Sequence, residues 1–556
     1  MTEPAVPASR VSVLLLSPDD DVAIVRSAAC EGDLLELPAG GAGGAGGAVT
    51  ACRDDVPAGH KVALRDLPLD APVRKFGHVI GVTTRPVRAG EHVHVHNLTM
   101  PPDPETVVSG AAASGSGDRA SSAVPREHPE RLPGELPTGL RRTFLGFRRP
   151  GGAVATRNFI GVLTTVNCSA TVARQIARRT EDDVTGGVNG GEDAGVTGGV
   201  DGVVALTHGT GCGMASQGEG WDLLRRTLRG YARHPNIGGL IVVGLGCEVN
   251  DLRSLTADLE AEVHADLHPG LPVEAYTIQD AGGTAAAIAR GVDRVRAMAR
   301  ELAGARREEV GVEHLVLGLQ CGGSDAWSGL TANPALGVAS DLLVAAGGTS
   351  VLGETPEIYG AERLLAERAV DPAVARALLA RVRWWTEYAA AQGTTLDGNP
   401  SPGNRAGGIT TILEKSLGAV AKGGHSPLAG VCRFAEPVPG PGLVFMDTPG
   451  YDPVSVTGMV AGGANLICFT TGRGSGFGSR PAPTVKLATN ADLARRMADD
   501  IDLDCSGIVE SGVDVAAMGR QVYDLLLDVA SGRRTRSEEL GLGGEEFVPW
   551  QIGAVL

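Results

Sequence analysis

The sequence predicts an α/β protein: a small β-rich N-terminal module followed by two α/β domains with mainly parallel sheets. Three observations carry this. Apolar runs without strict alternation recur at Val203–Leu206, Leu240–Val243 and Leu315–Leu319, and each leads into a glycine-bearing turn. Such runs suit strands buried on both faces of a parallel sheet. Helix-length stretches alternate with them, as right-handed β-α-β units require. Ahead of both, residues 11–100 hold only short, valine-rich, strand-like runs.

At 556 residues the chain exceeds what one core spans. The boundaries read from it are a β-rich module over 1–101, a flexible Pro/Ser/Ala/Gly-rich linker over 102–140, a second domain over 141–310 and a third over 311–556. In the first module Val11–Leu16 and Val22–Val25 read as strands, and 37–49 as a Gly/Ala insertion. Within it Gly41–Gly46 formally matches G-x-G-x-x-G. Low-complexity Gly/Ala produces that pattern freely and no clear strand feeds it, so no dinucleotide site is read there. Alternation with valine places His92, His94 and His96 on one face of a strand, a common way to present imidazoles to a metal.

In the second domain Phe159–Leu163 reads as a strand and Thr164–Ser169 as a turn, with Ser169 capping the helix Ala170–Arg179. A second Gly-rich insertion spans Asp182–Gly202. Helices are expected at Trp221–Ala232, Leu252–Leu267 and Ala285–Leu302, with a strand at Val273–Ile278. The third domain opens on the strand ending at Cys321. A helix over Pro372–Gln392 follows, then a long irregular segment, Asn399–Lys415.

Net charge is −16, with no lysine- or arginine-rich run, which argues against nucleic acid or an anionic membrane surface as the main partner. No apolar segment reaches the roughly 18–20 residues of a spanning helix. Val11–Leu16 is too short for a signal-peptide core. A cytoplasmic location is expected, and the nine cysteines are then thiols or ligands rather than disulfides. Among 49 basic residues only Lys61, Lys75, Lys415, Lys422 and Lys486 are lysines. Arginine cannot release a proton whereas a desolvated lysine can, so these five positions are candidates for site roles.

Ligands of parallel sheets bind beyond the carboxyl ends of the strands, where Cys212, Cys247 and Cys321 fall. The three could ligate a soft metal or an iron–sulfur cluster with one open iron, or simply pack. Polar residues are expected on the same loops: Arg157, Asn158, Asn167, His208, Gln279, Asp280, Asp325, Asn404 and Arg405. Amides pair with hydroxyls and arginine grips a carboxylate, which suits a polyhydroxylated acid. Asp447–Gly450 resembles the magnesium-side loop of nucleotide hydrolases, but no Gly-Lys dipeptide occurs anywhere, and neither G-x-S-x-G nor H-E-x-x-H is present.

Taken together, Gly59-His60-Lys61, the run Gly90–Asn97, Thr156-Arg157-Asn158, Thr164–Thr171, His208–Met214, Gly246–Asn250, Gln320–Asp325, Glu354-Thr-Pro-Glu357, Asn404-Arg405, Lys422-Gly-Gly and Asp447-Thr-Pro-Gly450 resemble the motifs of the altronate/galactarate dehydratase family. The resemblance spans nearly the whole chain, the first module being similar to that family's SAF domain. The departures are insertions, and Phe159 where tyrosine is expected. The resemblance implies dehydration of a sugar acid, altronate first and galactarate next, to a 2-keto-3-deoxy acid. It implies Fe²⁺ or Mn²⁺, with an iron–sulfur cluster as the alternative. On that basis His60, Lys61 and Lys422 are the expected catalytic groups. The nine polar loop residues are the expected substrate contacts, and His94, His96, Cys212, Cys247 and Cys321 the expected metal ligands. Homo-oligomerisation is left open. The competing readings are a sulfo-lyase acting on a hydroxy-sulfonated acid, an NAD(P)-dependent oxidoreductase and a non-catalytic sugar-acid binder.

Overall fold

The computed structural model describes residues 9–37, 49–101, 138–185, 199–264 and 270–553. The Gly41–Gly46 tract, nearly all of the 102–140 linker and most of the 182–202 insertion lie outside these. Among the described residues no helix is long and apolar enough to cross a membrane.

Among its described residues the N-terminal module holds strands and no helix. Strands β1 (Arg10–Leu14), β2 (Val22–Val25), β3 (Leu34–Glu36), β4 (Val49–Ala51), β5 (Lys61–Ala63) and β8 (His92–Val93) form one sheet in the order β4-β3-β1-β2-β5-β8. β6 (Pro72–Lys75), β7 (His78–Thr83) and β9 (Leu98–Thr99) form a second. Asp20 gathers the corner, accepting from the amides of Ser17, Phe76 and Gly77 at 3.1, 3.1 and 2.7 Å. The alternating stretch expected to run as one strand past His96 stops at Val93. Asn97 is the cause. Its Oδ1 accepts from the His94 amide at 2.9 Å and its Nδ2 donates to the His92 carbonyl at 2.9 Å. These local bonds favour a turn over the ladder. His92 and His94 still meet through that turn, while His96 goes to the surface.

β10 (Thr143–Arg148) enters a small antiparallel sheet with β11 (Val154–Ala155). The second domain is a four-stranded parallel sheet of β12 (Phe159–Thr164), β13 (Gly202–Leu206), β14 (Ile237–Gly244) and β15 (Val273–Thr277), ordered β13-β12-β14-β15. Helices Ala170–Thr185, Glu219–Ala232 and Leu252–His264 make the crossovers, and Thr284–Leu302 follows the last strand. Ser169 does not cap the first of them. It sits in a short 3₁₀ turn with its hydroxyl 2.8 Å from the Val243 carbonyl, pinning the loop to β14. β16 (Glu308–Gly311) returns to pair with β10.

The third domain is a seven-stranded parallel sheet. Its strands are β17 (Val316–Cys321), β18 (Thr349–Leu352), β19 (Leu428–Cys432), β20 (Gly442–Met446), β21 (Leu466–Thr471), β22 (Thr484–Ala488) and β23 (Leu503–Asp504). The order β19-β20-β18-β17-β21-β22-β23 places the first strand in the middle. The chain fills one side of β17 with β18, β19 and β20 and then crosses to the other. That reversal opens a crevice at the carboxyl end of β17, where α/β sheets receive ligands. Helix Pro372–Ala391 starts where Asp371 caps it and proline occupies its first turn. The segment expected to be irregular holds two helices, Pro402–Ala406 and Ile412–Val420. Ser401 with Asn404, and Thr411 accepting from the Glu414 amide, supply the start signals.

Candidate active site

The N-terminal module is seated on the carboxyl edge of the third-domain sheet, and buried charge holds it there. Lys61 and Lys75 come from β5 and β6; Glu414 comes from helix Ile412–Val420. Lys61 Nζ donates to both Glu414 oxygens at 3.1 and 2.9 Å and to the Gly408 carbonyl at 2.6 Å. Lys75 Nζ donates to Glu414 Oε1 at 2.7 Å. All three side chains are almost fully buried. Burial pulls the Lys61 amine down to about 8. Burial alone would push the Glu414 carboxyl up; the two ammonium groups outweigh it and hold the carboxyl well below the usual range.

Three imidazoles meet at this seam. His60 Nδ1 lies 3.0 Å from His92 Nε2, and His60 Nε2 lies 3.3 Å from the Ala406 carbonyl. The His94 ring stacks on that of His92, centroids 5.3 Å apart, and lies 4.9 Å from that of His60. His94 Nδ1 is buried with no hydrogen-bond partner. One nitrogen from each ring falls within 4.8 Å of the others. Burial, reinforced by the neighbouring positive groups, lowers His92 to about 3 and His94 to about 4, so both rings are neutral at pH 7. His96 lies at the exposed rim, 5.3 Å ring to ring from His92.

Beneath the seam, at the end of β17, lies a second buried polar group. Lys422 Nζ is 2.8 Å from Cys321 Sγ and 3.5 Å from Glu354 Oε2. Lys415 Nζ reaches Glu357 Oε1 at 2.8 Å and Asn399 Oδ1 at 2.7 Å. Burial works against the charge of Lys422, but the ionised Glu357 carboxylate nearby keeps it protonated. Burial pushes the Cys321 thiol up to about 11. Glu354 adopts the left-handed region, φ 65°, and its carboxyl is raised well above the usual range by burial and by Glu357 beside it. Asp325 is clasped by Ser328, Thr489 and Asn490 at 2.9–3.0 Å. Asn404 ties the adjoining helix to the Ser324 carbonyl at 2.8 Å. Arg405 Nε is buried without a partner. A cavity of about 20 Å³ lies between Lys75 and Phe76 on one side and Cys321, Asp325 and Lys415 on the other.

Of the residues expected from sequence, His60, Lys61, His94, Cys321, Asp325, Asn404, Arg405 and Lys422 are thus brought to the two sides of one seam. Others are not. Arg157 and Asn158 precede β12 and so lie at the amino end of its sheet. Arg157 is bound to Glu538 at 2.7 and 2.8 Å, and Asn158 Nδ2 to the Gly199 carbonyl at 2.6 Å. Asn167, His208, Gln279 and Asp280 lie at the carboxyl edge of the second sheet. There His208 Nε2 is 3.0 Å from the Thr164 carbonyl, and burial lowers the ring to about 4. Cys212 and Cys247 are on this second sheet, exposed, whereas Cys321 is buried on the third, so the three do not form one nest. The thiol that accompanies Cys212 and Cys247 is exposed Cys168, after β12. The loops carrying them are bonded together: the Asn167 amide to the Thr210 carbonyl at 2.9 Å, the Asn250 amide to the Gly211 carbonyl at 3.0 Å.

Sequence reasoning marked Lys75 and Lys415 as candidates and placed His92, Glu354 and Glu357 in motifs without giving any of them a stated role, and it left out Glu414. The scarcity of lysine was the signal for Lys75 and Lys415. No signal in the sequence pointed to Glu414, which faces its lysines from more than three hundred residues away.

Comparison with known proteins covers most of the chain. Residues 11–101 match the altronate/galactarate dehydratase SAF domain. Residues 146–303 match the D-galactarate dehydratase/altronate hydrolase second domain, and residues 312–555 the D-galactarate/altronate dehydratase C-terminal domain. An altronate dehydratase of Bacillus subtilis is 33% identical over 489 residues, covering 88% of this chain and 90% of that protein. One of Escherichia coli is 33% identical over 510 residues, covering 91% and 94%. The galactarate dehydratase (L-threo-forming) of Escherichia coli is 34% identical over 497 residues, covering 88% and 89%. The chain belongs to the altronate/galactarate dehydratase family of hydro-lyases.

Proposed function

We propose that the seam between the N-terminal module and the third domain is the active site of a metal-dependent dehydratase acting on altronate, with galactarate as the second substrate to test. The observation that carries this is the meeting of His60, His92 and His94 at the helix of Arg405, where His60 reaches the carbonyl of the neighbouring Ala406. If His60 Nε2–H is turned to Ala406, its Nδ1 lone pair faces His92 Nε2 at 3.0 Å. That lone pair can accept the His92 Nε2–H or turn to a cation, and the orphaned His94 Nδ1 beside it is a ligand atom that a shared cation would satisfy. Neutral imidazoles suit several first-row divalent metals, iron included. When bound, the ion would supply positive charge to the enediolate that develops as the C2 proton leaves.

The chain's own groups divide the remaining work. Arg405, with a buried N–H unpaired, binds the carboxylate. A single guanidinium fits an acid with one carboxylate, which favours altronate over the diacid galactarate. His96 at the rim takes the C2 proton, because it is the imidazole left outside the trio. Lys61 acts through Glu414 as a positioning group, since its donors are already committed. Lys422 holds a fixed positive charge under the cleft. The cavity of about 20 Å³ has room for roughly one water, so substrate entry requires the seam to open.

The test is incubation with Fe²⁺, without oxygen, and a panel of hexonates and hexarates. The expected product is a 2-keto-3-deoxy acid trapped by semicarbazide. Absence of product from every acid overturns the reading, and sulfite released from a hydroxy-sulfonated acid would replace it with the sulfo-lyase. His96→Gln is expected to keep bound iron and lose kcat by about 10²-fold or more. His94→Gln is expected to lose the iron itself.

A second reading of the metal centre is favoured by one observation: exposed Cys168, Cys212 and Cys247 follow three neighbouring parallel strands. Iron held there as a thiolate cluster would survive His94→Gln and be lost on Cys212→Ser. Iron counted per chain in those two variants separates the readings.

A further inference from the structure

Helix Ala332–Ala345 packs against the segment that carries Lys422, and three of its residues hold that segment in turn. Asn333, Gly337 and Asp341 stand at i, i+4 and i+8, so they share one face. Asn333 Nδ2 donates to the Gly418 carbonyl at 2.8 Å, and its Oδ1 accepts from the Thr470 hydroxyl of β21 at 2.6 Å. Gly337 lies against the Ala421 carbonyl, where a Cβ would stand 2.2 Å from the oxygen. Asp341 Oδ1 accepts from the Ser426 hydroxyl at 2.6 Å and from the Ser426 amide at 2.8 Å. Its Oδ2 accepts from the His425 amide at 2.8 Å. Between these anchors sits the 3₁₀ turn Ala421–Gly423, with Lys422 at its centre.

Aspartate is a poor residue for a helix interior and is rarely buried without donors. Asp341 is both buried and well inside its helix. Burial alone would push its carboxyl up; the bonds from His425 and Ser426 outweigh this and hold it below the usual carboxylate range. Gly424 completes the fit. Its φ is 57°, and a Cβ there would stand 2.5 Å from Asp341 Oδ1. Arg368 donates to the Gly424 carbonyl, and the Leu428 amide to the Arg368 carbonyl at 3.0 Å, which fastens the far end of the loop to β19. A lysine ammonium stands on a flexible four-carbon stem, so it is placed only as well as its backbone is fixed. Lys422 Nζ has to be held 2.8 Å from Cys321 Sγ and 3.5 Å from Glu354 Oε2.

We propose that Asn333, Gly337 and Asp341 form a clamp on the Lys422 turn, and that Asp341 is a positioning residue for the dehydration. Asp341 does not line the cavity at the seam, and it reaches the reaction only through the loop it binds. Releasing Gly424–Ser426 lets the ammonium leave its place beneath the cleft, and a misplacement of about 1 Å is enough to cost up to about 10²-fold in rate. The effect on turnover rests on the reading of Lys422 as a fixed positive charge under the cleft. The clamp itself rests on the hydrogen bonds and close approaches along one helix face.

The test uses the full chain and two readouts. In the Fe²⁺ assay, with whichever acid of the panel is turned over, Asp341→Asn is expected to lower kcat by about tenfold with KM and iron per chain unchanged. Lys422→Gln is expected to lose at least as much. The double variant is expected to lose no more than Lys422→Gln alone, because both changes act through one ammonium. Losses that multiply in the double variant, or full kcat in Asp341→Asn, overturn the inference. The second readout needs no turnover. The chain has only five lysines, so lysine labelled with ¹³C at Cε gives five NMR signals, and that of Lys422 is the one missing from Lys422→Gln. This signal is expected to shift in Asp341→Asn while that of Lys486 stays in place. An unmoved Lys422 signal overturns the inference. If no acid is dehydrated, the reading of the seam has failed on its own, and the lysine spectrum alone decides the clamp. If Asp341→Asn does not fold, Ser426→Ala, which removes the 2.6 Å hydroxyl bond, takes its place in both readouts.

Discussion

Glu414 receives two ammonium groups in a space almost closed to water, and this makes it the most consequential single side chain at the seam. Removing its charge leaves Lys61 and Lys75 buried without a carboxylate. Breaking a buried pair in this way costs about 3–5 kcal/mol. Glu414→Gln is therefore expected to lower the chemical-denaturation stability by about that amount. The same residue predicts a pH dependence. Its folded pKa lies below the unfolded value of about 4.3, so its contribution is fully present above that value. It is lost progressively as pH falls through 4 and below, because the unfolded carboxyl then takes up a proton before the folded one does. The slope of Tm against pH over that window should flatten in Glu414→Gln; an unchanged slope would show that other carboxyls set it.

At the scale of elements, the carboxyl edge of the second sheet is built by close backbone approach. Gly211 has φ 98°, and a Cβ there would stand 2.3 Å from the Thr165 carbonyl oxygen and 2.8 Å from Val166 Cα. Neither backbone atom can move aside cheaply. Gly282 has a comparable φ of 85° but nothing within 4 Å of a Cβ. Gly282→Ala is expected to cost only the left-handed strain, about 1–2 kcal/mol. Gly211→Ala is expected to cost more and to disturb the loops of Cys168, Cys212 and Asn250. Equal Tm losses for the two variants would contradict this. The strands and crossover helices of the second domain were legible because each is written locally, in apolar runs and period, whereas most third-domain helices, among them Ala332–Ala345 and Ile412–Val420, were not. The end of β8 was not. Valine alternation argued for a continued strand, and a single asparagine, bonding to the backbone on both sides, turned the chain at His94 instead.

At the scale of the whole molecule, the N-terminal module and the third domain share one ion-paired seam while the intervening domain carries its own edge of exposed thiols. The seam predicts an asymmetry. Glu414→Gln should destabilise the full chain, whereas in a protein lacking residues 1–101 the same change should be neutral or stabilising, because Glu414 there has lost both lysines. Equal destabilisation in the two backgrounds, measured by urea unfolding, would show that Glu414 acts within its own domain. The candidate site was only partly legible for the same reason. Lysine scarcity and the His-x-His run marked Lys61, Lys75, His94 and Lys422 one at a time, with no statement of which would meet.

The fold class, and the family to which the chain belongs, were determined by the sequence itself, because strand runs, helix periods and motif spacings are local properties read in order. Partnership was decided only in the tertiary structure. Cys321, expected beside Cys212 and Cys247, lies instead against Lys422, because its strand starts a separate sheet. Arg157, expected to meet substrate, is at the amino end of its strand against Glu538. His60, far from His92 in sequence, closes the imidazole trio because β5 and β8 are neighbours in one sheet. Contacts of this kind depend on strand order and domain seating, and those follow from how whole faces pack rather than from any one stretch of chain.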